Sequence, residues 1–157
     1  FIANDLGTQQ DVIISPELFE RFILPGIRRL AAVGRVFGKP VMMHSCGAIS
    51  RIIPQLIDAG ICALHPLQPT RGMDAATLAR EYKNDLVFVG GVDTQELLPR
   101  GTSSDVSEEV KRLMDTLGPN YIVSPSHEGI LPDIPFENVR AMADAVHSTE
   151  RYKARAL

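Results

Sequence analysis

The apolar run Val41-Met42-Met43 ends in His44-Ser45-Cys46-Gly47. Along a strand, residues two apart project to the same side, so His44 and Cys46 point together. Imidazole and thiolate are preferred ligands of a borderline-soft divalent ion, and zinc is the usual one. Gly47 lets the backbone turn sharply and release the pair at a strand's end. One reading is two metal ligands, or a ligand and an acid/base group, at the mouth of a parallel sheet. The other is a half-buried cysteine beside a hydrogen-bonded core histidine, since two ligands alone do not make a site.

Other chemistry-bearing residues stand at the ends of other apolar runs: Asp5, His65, Asp93 and His127. In a parallel α/β architecture those ends form one rim, where active sites lie. His127, in Ser124-Pro125-Ser126-His127-Glu128-Gly129, is a candidate third ligand or substrate-binding imidazole; alternatively it bonds its own loop backbone. His65, before Pro66, lines a pocket. Asp5, opening Asp5-Leu6-Gly7-Thr8-Gln9, and Asp93, in Gly90-Gly91-Val92-Asp93-Thr94-Gln95, can accept hydrogen bonds from substrate or hold a metal-bound water. Each can equally cap the segment that follows. Gly90 and Gly91 allow a ligand close to the backbone, but neither GxGxxG nor a Walker loop is present, nor GxSxG or HExxH. Cys62 reads as core and His147 as surface.

Five strand–helix alternations supply the scaffold. Strands are expected at Phe1–Asp5, Val41–Gly47, Ile61–Pro66, Leu86–Gly91 and Tyr121–Pro125. Ser15-Pro16-Glu17 opens a helix with a cap, a proline at its first position and an acid in its first turn. Pro25-Gly26 should kink or interrupt it. Ile49, Ile52, Ile53, Leu56 and Ile57 mark a helix closed by Gly60. Met73–Tyr82 reads as another, and Thr102 with Asp105 as a capping box for the next. Pro135 begins the last. Near-continuously apolar strands imply a parallel sheet buried on both faces. A complete (β/α)8 barrel needs eight such units and about 250 residues. Five units, starting at Phe1 inside a strand, suggest a single domain over 1–157, the later part of a barrel truncated at its N-terminal side.

The 157 residues are 45% hydrophobic and 22% charged, ordinary for a soluble globular chain. A net charge of −3 gives no basic field, which argues against nucleic acid. No apolar run approaches the roughly 18 residues of a membrane span. Two cysteines without a disulfide framework suit a reducing cytoplasm.

His44-Ser45-Cys46-Gly47 with Ile52-Ile53-Pro54-Gln55-Leu56, Leu64-His65-Pro66-Leu67-Gln68-Pro69, Val89-Gly90-Gly91-Val92-Asp93-Thr94-Gln95 and the segment His127–Val139 resemble the uroporphyrinogen decarboxylase superfamily. The resemblance runs in order along essentially the whole chain and implies the C-terminal part of a (β/α)8 barrel. It implies one of two chemistries. The methyltransferase branch, similar to methylcobamide:coenzyme M methyltransferases, binds zinc through His-x-Cys plus a later Cys and moves a methyl group between a corrinoid and a thiol. True decarboxylases act on a tetrapyrrole in porphyrin biosynthesis with no cofactor. His44 and Cys46 match the first two zinc positions. Near the third stand Ser126 and His127, and His127 matches a histidine of the decarboxylases.

The resemblance therefore implies zinc on His44, Cys46 and His127, or no zinc. Asp5 and His127 are the implied catalytic residues, and Asp5, Gln9, His65, Gly91 and Asp93 the implied substrate contacts. Asp5–Gln9 resembles the methyltransferase side. Expected partners are a small-molecule or tetrapyrrole substrate and a corrinoid protein. A second copy or a missing barrel half is a further expected partner, without which the chain is an inactive fragment.

Overall fold

The computed structural model of the chain describes residues 1–149. Strands β1 (Ile2–Ala3), β2 (Met42–His44), β3 (Ala63–Leu67), β4 (Val87–Val92) and β5 (Tyr121–Pro125) form one sheet, parallel throughout, in the order of the sequence. A doubly wound sheet reverses its order midway; sequential order is that of a barrel wall. The chain thus forms about five strand–helix units of a (β/α)8 barrel, as its alternation of elements predicts. No helix among the described residues is long and apolar enough to cross a membrane.

Local chemistry accounts for the helices. Ser15 caps α1 (Pro16–Leu18) by accepting from the Leu18 N–H. The chain then passes through a π-helical stretch, Phe19–Ile23, into α2 (Leu24–Val36). The interruption expected at Pro25-Gly26 does not occur. Proline lacks an N–H and crowds the carbonyl four residues back, and the widened π turn immediately before it absorbs both effects. A 3₁₀ turn (Ser50–Ile52) leads into α3 (Ile53–Asp58). Helix α4 (Ala75–Tyr82) starts later than its sequence suggests because Asp74 caps it, accepting from the Thr77 N–H. Short α5 (Leu97–Arg100) precedes α6 (Ser103–Leu117), whose capping box of Thr102 and Asp105 is formed as expected. Helix α7 (Phe136–His147) packs on α6.

Strand register divides the sheet into two unlike faces. Met43, Leu64, Phe88 and Tyr121 pair across β2 to β5 in one row. Met43, Leu64 and Phe88 are fully buried in the core with Leu56, Leu78, Val110 and Leu113 of the helices. One residue further along, every side chain points the other way. There His44 pairs with His65, and Ile122 on β5 is 55% exposed. The expectation of burial on both faces is therefore half right: helices cover one face, while the other stays partly open because the five strands do not close. Strands β1 and β5 each have one unpaired edge within this sheet.

Candidate metal centre

The open face and the C-terminal ends of the strands carry the ionisable residues. His44 is the last residue of β2, and Cys46 follows two positions on. Asp5 lies just past β1, one strand over, because Ala3 pairs with His44. His127 and Glu128 follow β5.

Backbone contacts between loops hold this arrangement. The loop after β1 lies directly on the loop after β2: Thr8 O accepts from Ala48 N at 2.7 Å, and Ser45 Oγ accepts from Leu6 N at 3.0 Å. Gly7 and Gly47 meet with no room for a side chain. A Cβ on Gly47, whose φ is +86°, would stand 2.5 Å from the Gly7 carbonyl carbon. The buried Gln68, beyond β3, accepts from Gly47 N at 2.8 Å and ties in a third strand end. Ser126 does the same between β4 and β5, accepting from Thr94 N.

Within that frame His44 is nearly buried, with Nε2 3.3 Å from Asp5 Oδ1, 3.7 Å from Cys46 Sγ and 3.8 Å from Glu128 Oε2. Cys46 Sγ is 3.9 Å from the same Glu128 oxygen. Donors bonded at zinc distances to one tetrahedral ion stand about 3.3–3.7 Å apart. The four separations given lie within a few tenths of an ångström of that range, and the nitrogen, sulfur and oxygen atoms involved suit zinc. Asp5 also accepts from Cys46 N at 3.0 Å, which holds its carboxylate in place.

Two sets of three donors lie mutually close: Asp5, His44 and Cys46, and Cys46, His127 and Glu128. The combination His44, Cys46 and His127 is not brought together as one such set. His127 is 46% exposed and reaches Glu128 Oε2 at 3.6 Å, while its Nδ1 accepts from the Gly129 N–H. It shares one set with Cys46 and Glu128. The first set adds Asp5, read from sequence as a catalytic and substrate residue, and the second adds Glu128, which the sequence reading missed. The available signal was adjacency: a carboxylate beside a histidine at the end of the last strand.

Burial pushes the Cys46 thiol up to about 11, and the carboxylates of Asp5 and Glu128 add to the effect. A thiol so placed is about 10⁻⁴ ionised at neutral pH and is a poor nucleophile without an ion to take up its charge. Burial, and then the neighbouring His44, lowers the pKa of His65. Removing both carboxylates (Asp5→Asn with Glu128→Gln) should lower the Cys46 pKa and raise its iodoacetamide alkylation rate in metal-free protein several-fold at pH 8. A Cys46→Ser control reports the background from Cys62. An unchanged rate would mean that the carboxylates do not act on the thiol.

Of the remaining sequence candidates, His65 joins His44, and Asp93, Gly91 and Gln9 have other surroundings. Both oxygens of Asp93 accept backbone N–H groups, from Gln95 and from Glu96, so it caps the segment leading into α5. Gly91 turns toward the helix layer, where a Cβ would meet Tyr121 Oη and Leu113. Gln9 is exposed on the loop after β1 and makes no side-chain hydrogen bond among the described residues. His65 is brought to His44, Nδ1 to Nδ1, at 2.9 Å. A cavity of about 180 Å³ lined by Met73, Gly91, Arg112 and Leu113 lies among α4, α6 and the strands, away from His44. Asp74 and Glu109 also line it, but neither a histidine nor a cysteine does.

Comparison with known proteins finds related sequences and a shared fold. The family model described as uroporphyrinogen decarboxylase (URO-D) matches residues 5–149. A methylated-thiol–coenzyme M methyltransferase of Methanosarcina mazei is 29% identical over 150 residues, 95% of this chain and 37% of that protein. The uroporphyrinogen decarboxylase of Homo sapiens is 30% identical over 148 residues, 88% of this chain and 38% of that protein. That of Syntrophotalea carbinolica is 29% identical over 141 residues, with shares of 86% and 38%. The chain therefore spans less than two fifths of the length of each relative. Among solved structures, a methyltransferase from Methanosarcina mazei superposes with a TM-score of 0.74 at 24% identity, over 92% of this chain and 40% of that one, which establishes the shared fold.

Proposed function

Since the chain belongs to the uroporphyrinogen decarboxylase family, we propose that it carries the zinc-binding rim of an enzyme that transfers a methyl group between a corrinoid and a thiol or similar acceptor. The observation that supports this reading is that Asp5, Cys46 and Glu128 each lie within 3.3–3.8 Å of His44 Nε2, with Asp5, His44 and Cys46 a mutually close set of three donors. One of the relatives is named for methyl transfer to coenzyme M.

His44 and Cys46 would hold zinc from the end of β2, with Asp5 beside them and His127 outside. Bound zinc would supply Lewis acidity, lowering the pKa of a substrate thiol so that its thiolate exists at neutral pH. Cys46 must give up its proton as the ion enters, so binding tightens as pH rises. The other donors are anchored by β1 or β2. Glu128, on the loop after β5, would be the donor held by neither β1 nor β2, and zinc would need one position open to a substrate sulfur. Asp5 stays put through its bond to Cys46 N. The methyl donor is then a corrinoid, presented by a partner protein.

A second reading is cofactor-free decarboxylation of uroporphyrinogen, favoured by two relatives named for that activity and by the imidazole of His127 beside Glu128. His127 and Asp5 would then be the residues that protonate the ring carbon and stabilise the charge that develops. In either case the open edges of β1 and β5 call for completion of the barrel by a further half or a second copy.

The deciding assay supplies methylcobalamin with a thiol, and separately uroporphyrinogen, to the zinc-loaded chain and to that chain with the remaining barrel half added. Methyl transfer lost in Cys46→Ser is the expected result. Decarboxylation that persists in Cys46→Ser would replace the first reading with the second.

A further inference from the structure

His44 presents its two ring nitrogens to different surroundings. Nε2 faces the donor cluster of Asp5, Cys46 and Glu128. Nδ1 faces Nδ1 of His65 at 2.9 Å. The contact is built into the sheet, because His44 and His65 are register partners on adjacent parallel strands. Their rings tilt 40° to one another with centroids 5.1 Å apart, and the ring of Phe1 lies 6.2 and 6.3 Å from the two.

Two imidazole nitrogens at hydrogen-bond distance need one N–H and one lone pair between them. If His65 donated, neutral His44 would carry its hydrogen on Nε2, aimed at the place an ion must occupy. If His44 donates, its Nε2 lone pair faces the cluster. We propose that His65 is the positioning residue of His44: its Nδ1 accepts the hydrogen on His44 Nδ1 and so keeps the Nε2 lone pair directed at Asp5, Cys46 and Glu128. A metal-ligating histidine usually donates its other N–H to a carboxylate, a carbonyl or water. Here a second histidine, one strand away, takes that part. His65 then carries its own hydrogen on Nε2 and is neither a ligand nor a substrate contact. The inference rests on the metal reading above: without an ion the Asp5 carboxylate, 3.3 Å from Nε2, would draw the hydrogen to Nε2, so the tautomer of the ring pair is read with zinc bound.

The test is nitrogen NMR of the chain labelled with ¹⁵N-histidine, metal-free and with zinc added, in wild type, His65→Leu and His65→Asn. Asparagine can place a carbonyl oxygen where Nδ1 stood, while leucine removes the acceptor. The expected result with zinc bound is a scalar coupling across the hydrogen bond between the two Nδ1 atoms, with the bonded hydrogen on His44. His65→Leu should lose the coupling and bind zinc about 10–100-fold more weakly. His65→Asn should restore affinity to within a few-fold of wild type. A hydrogen found on His65 Nδ1, or equal zinc affinity in both variants, overturns the proposal. Should the leucine variant fail to fold, the wild-type spectrum and His65→Asn still decide. A wild-type chain that binds no zinc would sink the metal reading and this inference with it, whereas one that binds zinc with the hydrogen on His65 Nδ1 would sink this inference alone.

Discussion

Replacing Cys46 by serine is expected to abolish stoichiometric zinc binding, with a loss of at least about 100-fold in affinity. Groups that merely support a metal ligand are worth about 10–100-fold, so loss of the one sulfur donor in the cluster should exceed that range. His44→Ala should match it, because Nε2 is the atom that Asp5, Cys46 and Glu128 all surround. Asp5→Asn and Glu128→Gln should fall in the about 10–100-fold range, and His127→Ala below them, since Asp5 and Glu128 lie 3.3 and 3.8 Å from His44 Nε2 while His127 is grouped with Cys46 and Glu128. The order matters more than any single value. Metal content per chain after purification without added zinc, followed by competition titration, gives it directly. Thermal stability supplies a second readout: zinc at about 1,000 times its Kd adds about 4 kcal/mol to the folded state, which a chelator should remove from wild type but not from Cys46→Ser. If His127→Ala proves as damaging as His44→Ala, the ligand set is His44, Cys46 and His127, and the inner place of Asp5 is structural.

Gly47→Ala should be the most damaging substitution outside the donors. The residue has φ +86°, a region that costs a side chain of order 1–3 kcal/mol. Its new methyl group would also stand 2.5 and 2.6 Å from Gly7 C and Thr8 O, backbone atoms that cannot step aside without moving the loop that carries Asp5. Strain and overpacking together should cost roughly 2–4 kcal/mol of stability. Zinc affinity should fall even in the fraction that folds, because Asp5 and Cys46 would separate. Chemical denaturation measures the first effect, and titration of the folded fraction measures the second. Gly38→Ala is the matched control: it too has a positive φ, +61°, but no atom within 4 Å of the new Cβ. It should cost only the backbone term and leave zinc binding unchanged. Equal losses in the two variants would mean that the close approach of Gly7 and Gly47 has no bearing on the site.

Much of the scaffold was legible because its signals are local or periodic. Tyr121–Pro125 is a strand over the residues its pattern indicates, and Thr102 with Asp105 makes the capping box that their spacing spells. The pairing of His44 with Cys46 follows from a period of two. What was not legible depends on contacts between distant strand ends. Ser45, Gln68 and Ser126 hold neighbouring loops by side-chain bonds to backbone, and no periodicity announces such bonds. Glu128 was hidden by its neighbour: a histidine drew attention as a ligand, while the acid beside it points further into the cluster. Asp93 shows the reverse, a plausible substrate contact whose oxygens are taken up by its own turn. Pro25 misled because its usual effect on a helix was cancelled by a change of helical type one turn earlier.

Strand β1 is two residues long, lies at the sheet's margin and is followed almost at once by Asp5. Its hold on the sheet comes from few hydrogen bonds, so the position of one donor depends on an element with little stability of its own. Ion and strand are then thermodynamically coupled. Whatever lies along the free side of β1 and stiffens it must tighten the ion, and by reciprocity the ion must favour that docking by the same factor. The rim of this chain can therefore report, through its affinity for a metal, whether the rest of the wall is in place.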